Sequence, residues 1–164
     1  FTIIEMKTGA LFAAATDLSA YISGVSPETR AAMNDFGMKL GAAYQIYDDC
    51  LDLVGSEDQF GKTLRTDLEK GKLTLPMLYL LEEAGDTQRE ILQKRIIQQE
   101  ELDLTVLAGI AEYQGAIGRS LDYATALLRE ASESLSLLEE SAYRQALSEM
   151  LNFLLKLLGT LQKG

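Results

Sequence analysis

Histidine and tryptophan are absent from this 164-residue chain, cysteine occurs once and proline twice. Each scarcity narrows what the molecule can be. With no histidine, any chemistry must proceed without an imidazole. The lone Cys50 rules out an internal disulfide framework and suits a reducing cytoplasm. Few prolines, no tryptophan and many Leu, Ala, Glu and Gln, which keep their rotamer freedom in helices, predict an all-α protein. No run approaches the roughly 18 to 20 consecutive apolar residues of a spanning helix, and there is no charged-then-apolar leader, so the chain reads as soluble with no stable membrane insertion. Cations are also scarce: 15 Lys and Arg face 25 Asp and Glu, a net charge of -10. That balance argues against nucleic acid or anionic lipid as a partner held by bulk electrostatics, and a polyanionic ligand would need a local basic site.

What is there is a helical pattern. At 47% hydrophobic, the chain is long enough for one domain, residues 1–164, burying roughly 70% of its unfolded surface. It begins at Phe1 in mid-helix pattern without an initiator methionine, which is expected of part of a larger polypeptide. Apolar Ile4, Leu11, Ala15, Leu18 and Ile22 predict a helix over 2–22 that stops at Gly24. Ser26-Pro27-Glu28 starts a second, since serine accepts from orphan N–H groups and proline at the first helical position gives up none that was needed. It runs to about Val54. Residues 55–73, "GSEDQFGKTLRTDLEKGKL", form a long connection, and helices follow at 74–84, 87–98, 103–112, 115–139 and 142–162. The last carries a broad apolar face, Met150, Leu151, Leu154, Leu155, Leu157, Leu158 and Leu161, wider than one neighbour needs.

Within the second helix, "GAAYQIYDDCLDLVG" at 41–55 places Asp48, Asp49 and Asp52 on one face with Gln45 and Gly41. Three carboxylates so close repel one another. They can be a solvated stripe, or hard oxygen ligands for Mg²⁺, which prefers one or two carboxylates, waters and the oxygens of a substrate phosphate. The apolar residues on either side favour a lined cavity. Cys50 faces away from the acids and reads as a small core residue.

The connection that follows sharpens this. Residues 61–72 hold Lys62, Arg65, Lys70 and Lys72 against Asp67 and Glu69, a basic cluster in an acidic chain. Gly61 and Gly71, each directly before a lysine, let the backbone approach a ligand. Acids for Mg²⁺ and lysines for phosphate oxygens are two halves of a metal-diphosphate site. An ordinary charged loop with internal ion pairs is the plainer reading.

These residues carry a resemblance. "GAAYQIYDDCLDLVG" followed by "FGKTLRTDLEKGKLTLPMLYLL" is similar to the second aspartate-rich region of the trans-isoprenyl diphosphate synthases, or polyprenyl synthetases: a glutamine, Asp-Asp-x-x-Asp, Gly-Lys, Asp-Leu, Gly-Lys and Thr-Leu-Pro, in that order. "MKTGALF" at 6–12 resembles the family's Lys-Thr motif, and "SAYRQALSEMLNFLL" its last helix. Tyr44 stands where the family commonly has phenylalanine. The resemblance covers nearly the whole chain but only the C-terminal half of the family's domain.

The resemblance implies an all-α helical bundle, the C-terminal half of an isoprenoid-synthase-type fold. It implies that Asp48, Asp49 and Asp52 bind Mg²⁺, that Lys7, Lys62 and Lys72 grip the allylic diphosphate, and that Thr8 and Gln45 turn their oxygens toward the carbon where positive charge develops. Isopentenyl diphosphate is the second substrate, and a cytoplasmic homodimer is the expected assembly. The family's first aspartate-rich motif is missing, so residues 1–164 are expected to need the N-terminal half of the domain and to be inactive alone. A non-catalytic diphosphate-binding subunit and a purely structural helical module are the alternatives, and a terpene cyclase the rival within the enzyme class. Lys7 alone reads as a snorkelling surface residue on an apolar helix; its partnership with the later motif makes it a candidate.

Overall fold

A computed structural model describes residues 1–55, 72–98, 100, 102 and 104–162. Among them every regular element is helical, as the composition predicts. In chain order these are α1 (Thr2–Ile4), a π-helical turn (Glu5–Gly9), α2 (Ala10–Ile22), α3 (Pro27–Val54), α4 (Leu75–Glu83), α5 (Asp86–Gln98), α6 (Leu104–Ile110), α7 (Gln114–Ser134), a 3₁₀ turn (Leu135–Leu137) and α8 (Ala142–Leu161). The expected helix over 115–139 therefore gives up its α geometry after Ser134 and tightens into the 3₁₀ turn.

The helix ends follow from local chemistry. Gly24 adopts φ +68, a left-handed conformation that glycine enters without a Cβ penalty, and it ends the chain reversal after α2. Ser26 Oγ accepts the N–H of Thr29 at 3.1 Å, and Pro27 opens α3. Thr74 stands ahead of α4 in extended conformation with Pro76 in the first turn. At the other end of α4, the Arg89 guanidinium donates to the carbonyls of Leu81 (2.8 Å), Glu82 (3.2 Å) and Ala84 (2.9 Å), oxygens the helix itself leaves unsatisfied.

The residues gather into two compact units. The first comprises Phe1–Tyr47 and Tyr123–Thr160. Its buried residues include Met33, Phe36, Leu40, Ala43 and Ile46 of α3, Leu128 and Ala131 of α7, and Leu151, Leu154 and Leu158 of α8. Lys39 of α3 bridges Asp35 at 2.7 Å and Glu130 of α7 at 3.1 Å. The second comprises Asp48–Asp122 and Leu161–Gly164. It buries Leu51 and Leu53, Leu75, Met77 and Leu80 of α4, Leu92 of α5, Leu107 of α6, and Ile117 and Leu121 of α7. Arg119 lies over the Tyr79 ring at 4.0 Å and binds Glu82 at 2.7 Å.

On two helices burial does not simply follow hydrophobicity. The apolar positions Leu11, Ala15, Leu18 and Ile22 of the first helix are exposed, while Gly9, Ala13 and Ala20 are buried. Close approach to α3 selects small residues and leaves the large ones outside. On α8, Leu151, Leu154 and Leu158 are buried and Leu155 and Leu157 half-buried, whereas Met150, with Tyr143 and Phe153, is exposed.

Candidate functional site

Lys7 and Thr8 fall within the π-helical turn that replaces the plain α-helix expected over 2–22. Such turns occur mostly as single interruptions of α-helices, frequently at functional positions. Lys7 is exposed and Thr8 half-buried. The Thr8 hydroxyl donates to Gln45 Oε1 at 2.5 Å, joining residues 37 positions apart. Gln45 is itself buried, at 6% exposed. The two oxygens assigned to one role by sequence are thus in contact.

Glycine makes that contact reachable. A Cβ built on Gly41 would lie 2.8 Å from Gly9 Cα and 3.1 Å from Cβ and Cγ of Phe12. One turn earlier, a Cβ on Gly37 would lie 2.5 Å from the Phe12 carbonyl oxygen and would also strike Thr16 Oγ1. Backbone therefore rests on backbone. Phe12 also stacks against Tyr44, ring centroids 6.2 Å apart, so the tyrosine at this position keeps an aromatic contact. Sequence reading placed Gly41 on the polar face of its helix without detecting this role. The signal was the pair of glycines at 9 and 41, which hydrophobic periodicity does not weigh.

The aspartates belong to the second unit. Asp49 and Asp52 are buried, at 5% and 7% exposed, and Asp48 is half-buried. All three lie in the last two turns of α3, which ends at Val54 with no basic residue in its last turn. There the helix's own carbonyls carry partial negative charge, so carboxylates are disfavoured and a cation is favoured. Each of the three also has a polar or electrostatic interaction with other residues. Among the described residues no group of three or more His, Cys, Asp or Glu is arranged to hold a metal by itself. The donor chemistry still fits Mg²⁺, whose demand for protein ligands stops at one or two carboxylates when phosphate oxygens and waters complete the octahedron. Hard oxygens at the negative end of a helix suit that ion better than zinc, which takes thiolate or imidazole.

Cys50 adds no ligand. It is fully buried, and burial first, then the charge of Asp49, pushes its thiol up to about 12 against a smaller opposing hydrogen bond from Ser120. It stays a protonated core residue, as its place on the helix implies. Lys72 is exposed and makes an interaction of its own. Lys62 and the rest of the basic cluster up to Gly71 lie outside the described residues. Among the described residues no helix is long and apolar enough to cross a membrane.

Comparison with known proteins adds an independent line. The family model described as "Polyprenyl synthetase" matches residues 1–113. A short chain isoprenyl diphosphate synthase of Methanothermobacter thermautotrophicus is 38% identical over 161 residues, covering 94% of this chain and 47% of that protein. The crystal structure of a decaprenyl diphosphate synthase from Rhodobacter capsulatus superposes with a TM-score of 0.84 at 28% identity, over 94% of this chain and 48% of the other. A polyprenyl synthase from Caulobacter crescentus CB15, complexed with calcium and isoprenyl diphosphate, gives 0.81 at 32% identity over 93% and 47%. The chain thus spans about half the length of the relatives it matches.

Proposed function

The chain belongs to the polyprenyl synthetase family, and from that membership we propose that it supplies one wall of a prenyltransferase that joins isopentenyl diphosphate to an allylic diphosphate in isoprenoid biosynthesis. The single observation that supports this best is the Thr8–Gln45 hydrogen bond, because it couples the Lys-Thr turn to the helix that carries the aspartate motif.

In this reading Lys7, Lys62 and Lys72 hold the allylic diphosphate as point charges on its oxygens. Asp48, Asp49 and Asp52 would hold Mg²⁺, one or two of them as direct ligands. When bound, that ion supplies Lewis-acid neutralisation of the charge on the departing diphosphate. Thr8 and Gln45 present oxygen dipoles to the allylic carbon as its C–O bond breaks, and fixed dipoles need no reorganisation when the charge forms. The electrons of the isopentenyl double bond form the new C–C bond, the C–O pair leaves with diphosphate, and a proton is lost to restore a double bond. In this reading the enzyme is a cytoplasmic homodimer, and the exposed apolar side chains of Tyr143, Met150 and Phe153 on α8 support an association surface.

The test is turnover by the full-length gene product, supplied with Mg²⁺, isopentenyl diphosphate and allylic starters of increasing length. Products longer by whole isoprene units are expected. Release of diphosphate without any C–C bond formation, or cyclic products, would remove the elongating reading.

A further inference from the structure

The prenyltransferase reading assigns roles to Thr8 and Gln45 but leaves open what holds their oxygens in one orientation. A hydroxyl has a single proton and can turn it either way. Turned toward a positive centre, the O–H dipole repels; turned away, it offers lone pairs. In this structure the Thr8 proton is committed to Gln45 Oε1, so the Thr8 lone pairs face elsewhere and the Gln45 carbonyl is fixed at the same time. That commitment depends on how near the π turn lies to α3. Gly9 follows Thr8 directly, Gly41 precedes Gln45 by one helical turn, and these two glycines are where the backbones meet. A Cβ on Gly41 would stand 2.8 Å from Gly9 Cα, against the roughly 3.5–4.0 Å at which carbon atoms rest. The obstacle is backbone, which cannot swing aside, so the π turn would have to lift by about 1 Å. A hydrogen bond of 2.5 Å lifted by that much passes the limit at which it counts as one.

We propose that Gly41, through its contact with Gly9, is a positioning residue that sets the Thr8–Gln45 hydrogen bond and thereby the direction in which both oxygens face the reacting carbon. This rests on the prenyltransferase reading above. Lys7 shares the π turn with Thr8, but its long flexible side chain can take up a shift of about 1 Å by changing rotamer, which the short Thr8 hydroxyl cannot, so the larger effect of Gly41 falls on the chemical step.

The experiment uses the full-length polypeptide with Gly41→Ala, Thr8→Val and the two combined, measuring kcat and KM for the allylic diphosphate, with crystal structures of each. In Gly41→Ala the Thr8–Gln45 separation should exceed about 3.0 Å by crystallography, beyond the range of an O–H···O hydrogen bond. Its kcat should fall by roughly 10²-fold, as for other misplacements of about 1 Å, with KM within about threefold. The double variant should be no slower than Thr8→Val, because both changes remove one interaction. If Gly41→Ala does not fold, Gly9→Ala carries the same test more gently: its Cβ would meet the mobile Met38 sulfur at 2.6 Å and the Met38 carbonyl at 3.1 Å. An intact hydrogen bond in a slowed glycine variant, or losses that multiply in the double variant, would overturn the proposal. A wild-type protein that turns over no allylic diphosphate would instead overturn the prenyltransferase reading, and the crystallographic separation alone would then decide the glycine contact.

Discussion

Arg30 meets Asp17 through two parallel N–H···O bonds, Nε to Oδ1 at 2.8 Å and Nη2 to Oδ2 at 2.7 Å, tying α2 to the first turns of α3. The same guanidinium lies 4.8 Å from the centre of the Tyr21 ring. This fork geometry fixes a carboxylate more firmly than a lysine could. The hydrogen bonds from Arg30 hold the Asp17 carboxyl below the ordinary aspartate range, against a smaller effect of burial, and the guanidinium's charge adds a lesser push in the same downward direction.

The pH dependence follows from that direction. A carboxyl whose pKa is lower folded than unfolded stabilises the fold fully above the unfolded value, about 3.9, and the contribution disappears as pH falls through the folded value. Acid unfolding of the wild type should therefore steepen below roughly pH 4. Asp17→Asn should be less stable at neutral pH, with its deficit shrinking as pH falls. Denaturant titrations at pH 7 and pH 3 check this, and an equal deficit at both would contradict it.

Glycine positions separate into two kinds that a stability series can tell apart. A methyl group on Gly37 would come within 2.5 Å of a backbone oxygen, whereas one on Gly118 of α7 meets nothing within 4 Å. Gly37→Ala should cost about 1–3 kcal/mol by overpacking. Gly118→Ala should gain about 0.5–1 kcal/mol from helix propensity and reduced chain entropy. Urea midpoints with unchanged slopes would report both.

Much of this architecture is legible in the residues. Ser26-Pro27 and Gly24 mark their helix boundary because capping and left-handed geometry are local properties of residue type. The aspartate motif is legible because its spacing follows a helical repeat and α3 runs unbroken to Val54. The π turn at Glu5–Gly9 is not, since one wider turn changes no residue type and barely disturbs an apolar period. Nor is the buried face of α2. Hydrophobic patterning selects Leu11, Leu18 and Ile22, but contact with α3 is decided by size, and Gly9 and Ala13 fit where leucine would not. Lys62 falls outside the described residues, so its assignment rests on motif resemblance alone.

The state of Cys50 gives a direct test of burial beside the acids. A thiol pushed up to about 12 and fully covered offers almost no thiolate at pH 8. A disulfide reagent should therefore label no thiol per native chain and one per chain in guanidinium, the chain holding one cysteine. Rapid labelling of the native protein would mean that this part of α3 opens, and with it the helix that carries Asp49.

The metal assignment is tested without turnover. Pyrophosphate titrated into the full-length protein should bind in the presence of Mg²⁺ and much more weakly in its absence. Charge-assisted contacts of this kind are worth about 1.5–3 kcal/mol each, so Asp48→Ala and Asp49→Ala should each weaken Mg²⁺-dependent binding by roughly 10- to 100-fold. The two sites differ in burial. Asp49 is covered and Asp48 half-buried, so removing the Asp49 charge should also alter stability more than removing that of Asp48. Mg²⁺ should raise the thermal midpoint of the wild type, and go on raising it with the logarithm of its concentration above the dissociation constant, and the double variant should lose that rise. A double variant that still binds pyrophosphate with wild-type affinity and Mg²⁺ dependence would place the metal elsewhere and leave these aspartates with a structural role.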